Sequence, residues 1–301
     1  MAESTGAAER AASRRSLVCV GNLTIDEAVH DGIPSEPAMG GDAAYAALAA
    51  RRVLDDVSML APTGTDLPES VLDDLRAAGV KVDDLPARDL LTVRNTITYG
   101  VDGSRVWALH GTDEHFDRMS VYPDDVPASV LAADGIVLSA MSLDSQLALT
   151  PWLRERTGAA LYLDLQEDYL DGHRDELLAI VALADVFLPS EVEAIALADT
   201  HDLEEAARFF SSLGPSVVAI KRAAAGSLVL DGGAVALVPS EPVDAVDSTG
   251  AGDAFCGAFA AAHLVSGDAV EAARAGSEAA RVAIRGFGIT ELLAEALEVR
   301  A

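Results

Sequence analysis

The sequence predicts an α/β protein whose mostly parallel sheet is covered by helices on both faces, and three observations carry that expectation. Short, mostly apolar runs alternate with amphipathic or alanine-rich segments along most of the chain, the pattern of strands buried on both faces and joined by crossover helices. Two apolar runs flanking Asp231-Gly232-Gly233 (227–238) have the signature of an antiparallel hairpin at the sheet edge. Beyond that hairpin only helical patterns follow, at about 250–265, 268–284 and 290–299.

In chain order, the strand candidates are 17–21 (LVCVG), 57–61, 135–139, 160–165, 185–189 and 216–221 (SVVAIK), each short and bounded by turn-forming or polar residues. The intervening helical patterns fall at 42–53, 67–78, 143–156, 174–184 and 202–212. One region breaks the rhythm. LTVRNTITYGVDGSRVWALHG (91–111) alternates about an Asp102-Gly103 turn signal and reads as a second hairpin, and with EAVHDG (27–32) it is expected to form a small sheet projecting from the main body. No internal repeat, low-complexity linker or charge block divides the chain, so 1–301 reads as a single domain.

Half of the residues are hydrophobic, ample for a sizeable core, while the formal charge is −28. A surface that acidic repels nucleic acid and anionic membranes, and no basic stripe offsets it, so the expected partner is a small molecule. A salt-rich cytoplasm is one setting that suits such a surface. Cys19 and Cys256 sit in apolar segments without metal-ligand spacing, which suits a reducing compartment. The six histidines are scattered, so no clustered Cys/His set predicts zinc. The apolar stretch after the polar N-terminus is too short for a signal sequence, and no run has membrane-spanning length. A cytoplasmic location is expected.

The familiar phosphate signatures are missing. There is no G-x-x-x-x-G-K-[ST], and Gly250-Ala251-Gly252 has Phe255 where a dinucleotide fingerprint needs its third glycine. What stands out is VDSTGAGDAFCGAFAAAHL (246–264), a small-residue turn opening an apolar helix with Asp253 in its first turn. The bland reading is a helix cap with an acid near the dipole. The sharper one is an anion site: N–H groups of Ala251, Gly252 and Asp253 exposed at the helix start, side chains small enough for a phosphate to approach, and a carboxylate beside them to take a proton from an attacking alcohol.

DSTGAGDAFCGAF (247–259) resembles the C-terminal signature of the PfkB, or ribokinase-like, family of carbohydrate and nucleoside kinases. VGNLTIDEAV (20–29), Gly40-Gly41 with DAAYAALAARR, the DGSR hairpin (102–105) and PSEVE (189–193) resemble further family stretches in the same order. The resemblance runs over about residues 17–290. It implies an αβα sandwich with a β lid, formed here by about 27–39 and 92–110, closing over a sugar, and ATP lying along the C-terminal part of the sheet. By that resemblance Asp253 is the base and Gly250, Ala251 and Gly252 supply the anion hole. Asp26, Gly41, Asp42, Tyr45 and Asn95 then contact substrate, and Ser190, Lys221, Gly226 and Ser277 the nucleotide. Glu193 organises Mg²⁺ through water. Some members also use a monovalent cation such as K⁺ near this helix, for which Asp247, Thr249 and RGFG (285–288) are the corresponding positions. The chain departs from the family at Ser190 (Asn in P-N-x-x-E), Ala223 (often Gly), Tyr45 (often Asn) and Asp42 (Lys in ribokinase), which bears on substrate identity more than on reaction type.

Each residue also has a plainer reading. Glu193 on a solvated helix face, Asp26 and Asp42 as caps, and Lys221 as an ordinary strand end are all chemically ordinary. In the lid, alternation sends Asn95 to the face opposite Arg94 and Thr96. Trp107 suits stacking on a ligand or burial in a lid–lid homodimer equally well. Three functions therefore stand together: an ATP-dependent sugar kinase, a nucleoside kinase in which Trp107 or Tyr45 stacks on the base, and a catalytically idle ligand-binding relative, for which the intact Gly-Ala-Gly-Asp is a contrary sign and Ser190 a supporting one.

Overall fold

The computed structural model describes residues 15–100 and 105–298, and its apolar runs pair largely as the sequence suggests. Its strands are β1 (Ser16–Val20), β2 (Thr24–His30), β3 (Ile33–Pro34), β4 (Ala38–Gly40), β5 (Asp56–Leu60), β6 (Val80–Lys81), β7 (Val93–Tyr99), β8 (Arg105–His110), β9 (Gly135–Leu138), β10 (Ala160–Leu163), β11 (Val186–Phe187), β12 (Val217–Lys221), β13 (Ser227–Asp231) and β14 (Ala234–Val238). Nine of them form one sheet in the order β14-β13-β12-β11-β10-β9-β1-β5-β6. It is parallel from β6 to β12, and the β13–β14 hairpin adds two antiparallel strands at one edge.

Strand alternation divides the core into two layers. Leu17 and Cys19 of β1 face a layer built on helices Asp42–Ala50, Ala251–Ser266 and Ala269–Ala283. Val18 and Val20 face the other, where helices Leu143–Arg156, Arg174–Val181 and Leu203–Leu213 pack. The alanines after the glycine turn have a packing reason. A Cβ at Gly257 would lie 2.0 Å from the Ala46 carbonyl oxygen, so helix Ala251–Ser266 touches helix Asp42–Ala50 backbone to backbone. Only small side chains permit that approach.

The second sheet has the order β3-β2-β7-β8, with β4 also paired to β2. β2 and β7 are parallel with Asp26 opposite Asn95, and β7 and β8 form the expected hairpin. Its Asp102-Gly103 turn lies outside the described residues. This sheet starts before residue 27, where the sequence placed the first lid segment (27–39), because Thr24 pairs with both Gly40 and Val93. Thr24, Asp26 and Ala28 are the buried positions of β2, so two polar residues on its inner face hid the strand from a hydrophobic pattern. The short β6 and helices Asp113–Arg118, Ala128–Leu131 and Glu191–Ala198 also lie beyond the sequence-based assignment.

Candidate active site

Gly250 caps helix Ala251–Ser266 with φ 77°, a left-handed conformation. A Cβ there would also sit 2.3 Å from the ring of Tyr45, so glycine is demanded twice. The first intrahelical bond runs from Ala254 N–H to the Gly250 carbonyl, and Ala251 N–H makes a long 3.4 Å bond to Ser248. Gly250, as the N-cap residue, has no side chain to cap this end. A Cβ on Gly252 would meet only Lys221 Nζ, at 3.6 Å. The helix start is therefore narrow-walled, with an ammonium beside it, and such an end can hold an anion.

Lys221, the last residue of β12, donates to both carboxylate oxygens of Asp164 at 2.6 Å. Cys256, one turn into the helix, donates its thiol to the same carboxylate at 3.2 Å. Burial opposes the Lys221 charge, but Asp164, Cys256 and Glu193 outweigh it and hold the ammonium protonated. Burial, with Asp164 next, pushes the Glu193 carboxyl up. Burial and then Asp253 push Asp42 up in the same way. Several acids thus surround one cation, an arrangement that accepts a further cation readily.

The lid supplies a second group. Asp26 accepts from Asn95 Nδ2 and from Thr24 Oγ1, each at 2.8 Å. Burial nonetheless raises its pKa to about 6, against those two bonds. Asn95 Oδ1, Asn22 Oδ1 and the Tyr45 hydroxyl are buried without a hydrogen-bond partner among the described residues. The Tyr45 phenol is pushed up by burial first, and then by the negative charges of Asp26, Asp247 and Asp253. Unpaired buried polar atoms are costly. Each could be satisfied by a hydroxyl group of a ligand that reached it.

These distances bring Lys221 beside Gly252 and Ser190, and Asp26 beside Asn95, and they change several readings. Glu193 is not on a solvated face: it is 3% exposed and forms a reciprocal capping box with Ser190, Ser190 N–H to Glu193 Oε2 at 2.7 Å and Glu193 N–H to Ser190 Oγ at 3.2 Å. Ser190 bridges to Lys221, so the missing asparagine is replaced by a cap at the same junction. Asp42 Oδ1 accepts the N–H groups of Asn22 and Ala43. Gly41, φ 101°, packs on the Asn22 carbonyl. Tyr45 cannot stack on a base with the face that Gly250 covers, and Trp107, 41% exposed, lies on the lid. Asp247 accepts from the Tyr99 hydroxyl and from Thr249 N–H, the latter at 2.8 Å. Gly226 has a backbone reason of its own, φ 86° against the Val238 carbonyl. The Ser277 side chain, on helix Ala269–Ala283, makes no hydrogen bond among the described residues.

Sequence reasoning missed Asp164, Asn22 and Tyr99. Asp164 is the last residue but one of the predicted strand 160–165, and a carboxylate near the carboxyl end of a buried parallel strand was the available signal. Tyr99 sits in the lid hairpin and gave none. Among the described residues no group of three or more His, Cys, Asp and Glu is arranged to hold a metal ion, and no helix is long and apolar enough to cross a membrane.

A parallel sheet with a two-part lid, converging on a glycine-opened helix with an acid in its first turn, defines a phosphotransferase that acts on hydroxyl groups. The chain belongs to the pfkB family of carbohydrate kinases, whose model matches residues 16–296. It is 29% identical over 281 residues to a cytidine kinase of Thermococcus kodakarensis, covering 90% of this chain and 97% of that one. It is also 29% identical to an ATP-dependent ribose-1-phosphate kinase of Halopiger xanaduensis, over 85% and 86% of the two chains. An Escherichia coli protein described as a ribokinase II, solved with ATP and Mg²⁺, superposes with a TM-score of 0.79 at 22% identity, over 95% of this chain and all of that one.

Proposed function

We propose that the protein transfers the γ-phosphate of ATP to a hydroxyl of a sugar. The observation that carries this reading is the glycine-opened start of helix Ala251–Ser266, with Asp253 in its first turn and the Lys221 ammonium 3.6 Å from where a Cβ of Gly252 would lie. In this reading Asp26, Asn95 and the buried free acceptor of Asn22 hold sugar hydroxyls. Asp253 takes the proton of the attacking hydroxyl as its oxygen bonds to phosphorus. The N–H groups at 251–253 and the Lys221 ammonium stabilise charge on the transferring phosphoryl oxygens. Ser190 and Lys221, joined where β11 and β12 end, lie where the nucleotide phosphates would run. Closing the lid keeps water from competing as acceptor.

The donor set fits Mg²⁺. Asp164 and Glu193 offer only oxygen, and Mg²⁺ keeps water and phosphate oxygens as most of its ligands, so these carboxyls would hold it through water. When bound with ATP, the ion supplies neutralisation of phosphate charge. Residues of this chain do the rest.

A second reading, a nucleoside kinase, is favoured by the cytidine kinase relative, matched over nearly its whole length. ADP formation measured against a panel of pentoses, hexoses, sugar phosphates and nucleosides tests both. Turnover on free sugars supports the first, turnover confined to nucleosides the second, and none on any acceptor removes the kinase reading. Exposed Ile33, Val106 and Trp107 on the lid support pairing of two copies through their lids. Sedimentation of the wild type beside Trp107→Glu checks that pairing.

A further inference from the structure

We infer that Tyr99 is a positioning residue that ties the lid to the anion hole through the turn 247–249. The inference rests on the kinase reading above. Tyr99 is the last residue of β7, yet its hydroxyl reaches across to the loop that opens the catalytic helix. It donates to Asp247 Oδ1, accepts from Ser248 N–H at 3.1 Å, and lies 3.4 Å from Thr249 Oγ1. Asp247 Oδ1 accepts in turn from Thr249 N–H at 2.8 Å. Phenol, carboxylate and two backbone N–H groups thus close a ring of hydrogen bonds around three residues that form no helix or strand. The next residue is Gly250, whose permissive backbone does not by itself hold the direction of the N–H groups after it.

The other face of the tyrosine belongs to the lid. Its ring stacks on His30 of β2, centroids 4.4 Å apart and planes within 5°. His30 meets Phe287 edge-on at 5.8 Å, and the loop bearing Phe287 follows Ile284, whose carbonyl accepts Val246 N–H at 2.8 Å. One aromatic side chain therefore joins both main lid strands to both loops flanking the catalytic helix pair. Displacement of the lid end shifts Asp247 and Ser248, and with them the helix start. Reacting groups misplaced by about 1 Å lose rates on the order of 10²-fold, so a sugar that closes the lid also completes the phosphate site. Tyr99 touches neither substrate in this account. It acts through the turn.

The test uses Tyr99→Phe, which keeps the ring and the His30 stack but removes the hydroxyl. Hydrogen exchange in peptides covering 246–253 should quicken by about tenfold, the effect of losing one buried hydrogen-bond partner, while the strand 160–163 exchanges as in the wild type. On the accepted substrate, kcat should fall about tenfold with both KM values changed by less than about threefold. Asp247→Ala should slow turnover as well, and Tyr99→Phe added to it should cost nothing further. Unchanged exchange at 246–253, wild-type kcat, a loss confined to the KM of the sugar, or multiplicative losses in the double variant would each overturn the inference. The exchange measurement needs no turnover. If the wild type phosphorylates nothing, the kinase reading fails while the link between lid and turn is still decided.

Discussion

Asp253, in the first turn of its helix, and Asp26, buried in β2, predict different consequences of the same Asp→Asn change. Asp253→Asn keeps shape and hydrogen bonding but cannot accept a proton, so kcat should fall by roughly 10²–10⁴-fold, about 3–5 kcal/mol of barrier. Folding should change by no more than about 1 kcal/mol, the worth of an acid in a first helical turn. Steady-state kinetics beside a thermal melt check both. Near-normal turnover would remove Asp253 as base, and an unfolded variant would leave it a helix cap. Asp26 is buried, with a pKa near 6 against the ordinary 3.8. The native state then binds more protons than the unfolded chain between those values, so stability falls as pH rises through this window. Above it the folded carboxylate costs on the order of 3 kcal/mol. Asp26→Asn should therefore be the more stable protein at pH 8, by about 1–3 kcal/mol, match the wild type near pH 3.5, and lose sugar turnover. Urea unfolding at the two pH values measures it, and equal gains at both would disprove the assignment to this carboxyl.

At the scale of elements, most of the sandwich was legible and much of the site was not. β1, β5 and β9 to β12 are apolar runs of strand length, and nothing in the fold overrides them. The lid was read only in part, because Thr24, Asp26 and Asn95 are buried polar residues in strands. Their use in a site is what blurs the hydrophobic alternation. Glu193 and Ser190 were found by motif, yet their capping box is a local arrangement that Ser-x-x-Glu announces by itself. The Asp164–Lys221 pair joins residues 57 positions apart, and no local pattern specifies it. The lid also carries a prediction of its own. Its sheet is attached to the body by turns and by a few polar contacts, among them Arg94 to Asp66 at 2.7 Å. Such an element opens more easily than the nine-stranded sheet. Binding of a turned-over sugar should slow hydrogen exchange in 24–40 and 92–100, by about tenfold or more. Exchange unaltered by a saturating substrate would mean that the lid does not close.

The whole molecule carries a formal charge of −28, and that excess decides how its stability responds to salt. Screening acts on attractions and repulsions alike, so the sign follows from which are more numerous. The ion pairs are mostly at the surface, such as Arg208 with Glu204 and Arg76 with Asp73, and pairs of that kind contribute about 0–1 kcal/mol each. With 21 basic side chains against 49 acidic ones, full pairing would still leave most acids facing other acids. The repulsion among them is long-ranged at low ionic strength, where the Debye length is about 30 Å at 0.01 M, and short-ranged at 1 M, where it is about 3 Å. Unfolding lets those charges move apart, so repulsion favours the unfolded chain more strongly in dilute buffer. The melting temperature should rise as KCl is raised from about 0.01 to 1 M, and a gain of about 2 kcal/mol would show as roughly 4–8 °C. Potassium chloride and sodium sulfate compared at equal ionic strength separate causes. Screening predicts that the two curves coincide, whereas stabilisation by sulfate alone would place the effect in solute exclusion from the protein surface. A melting temperature that falls in KCl would mean that the ion pairs outweigh the repulsion among the unpaired acids.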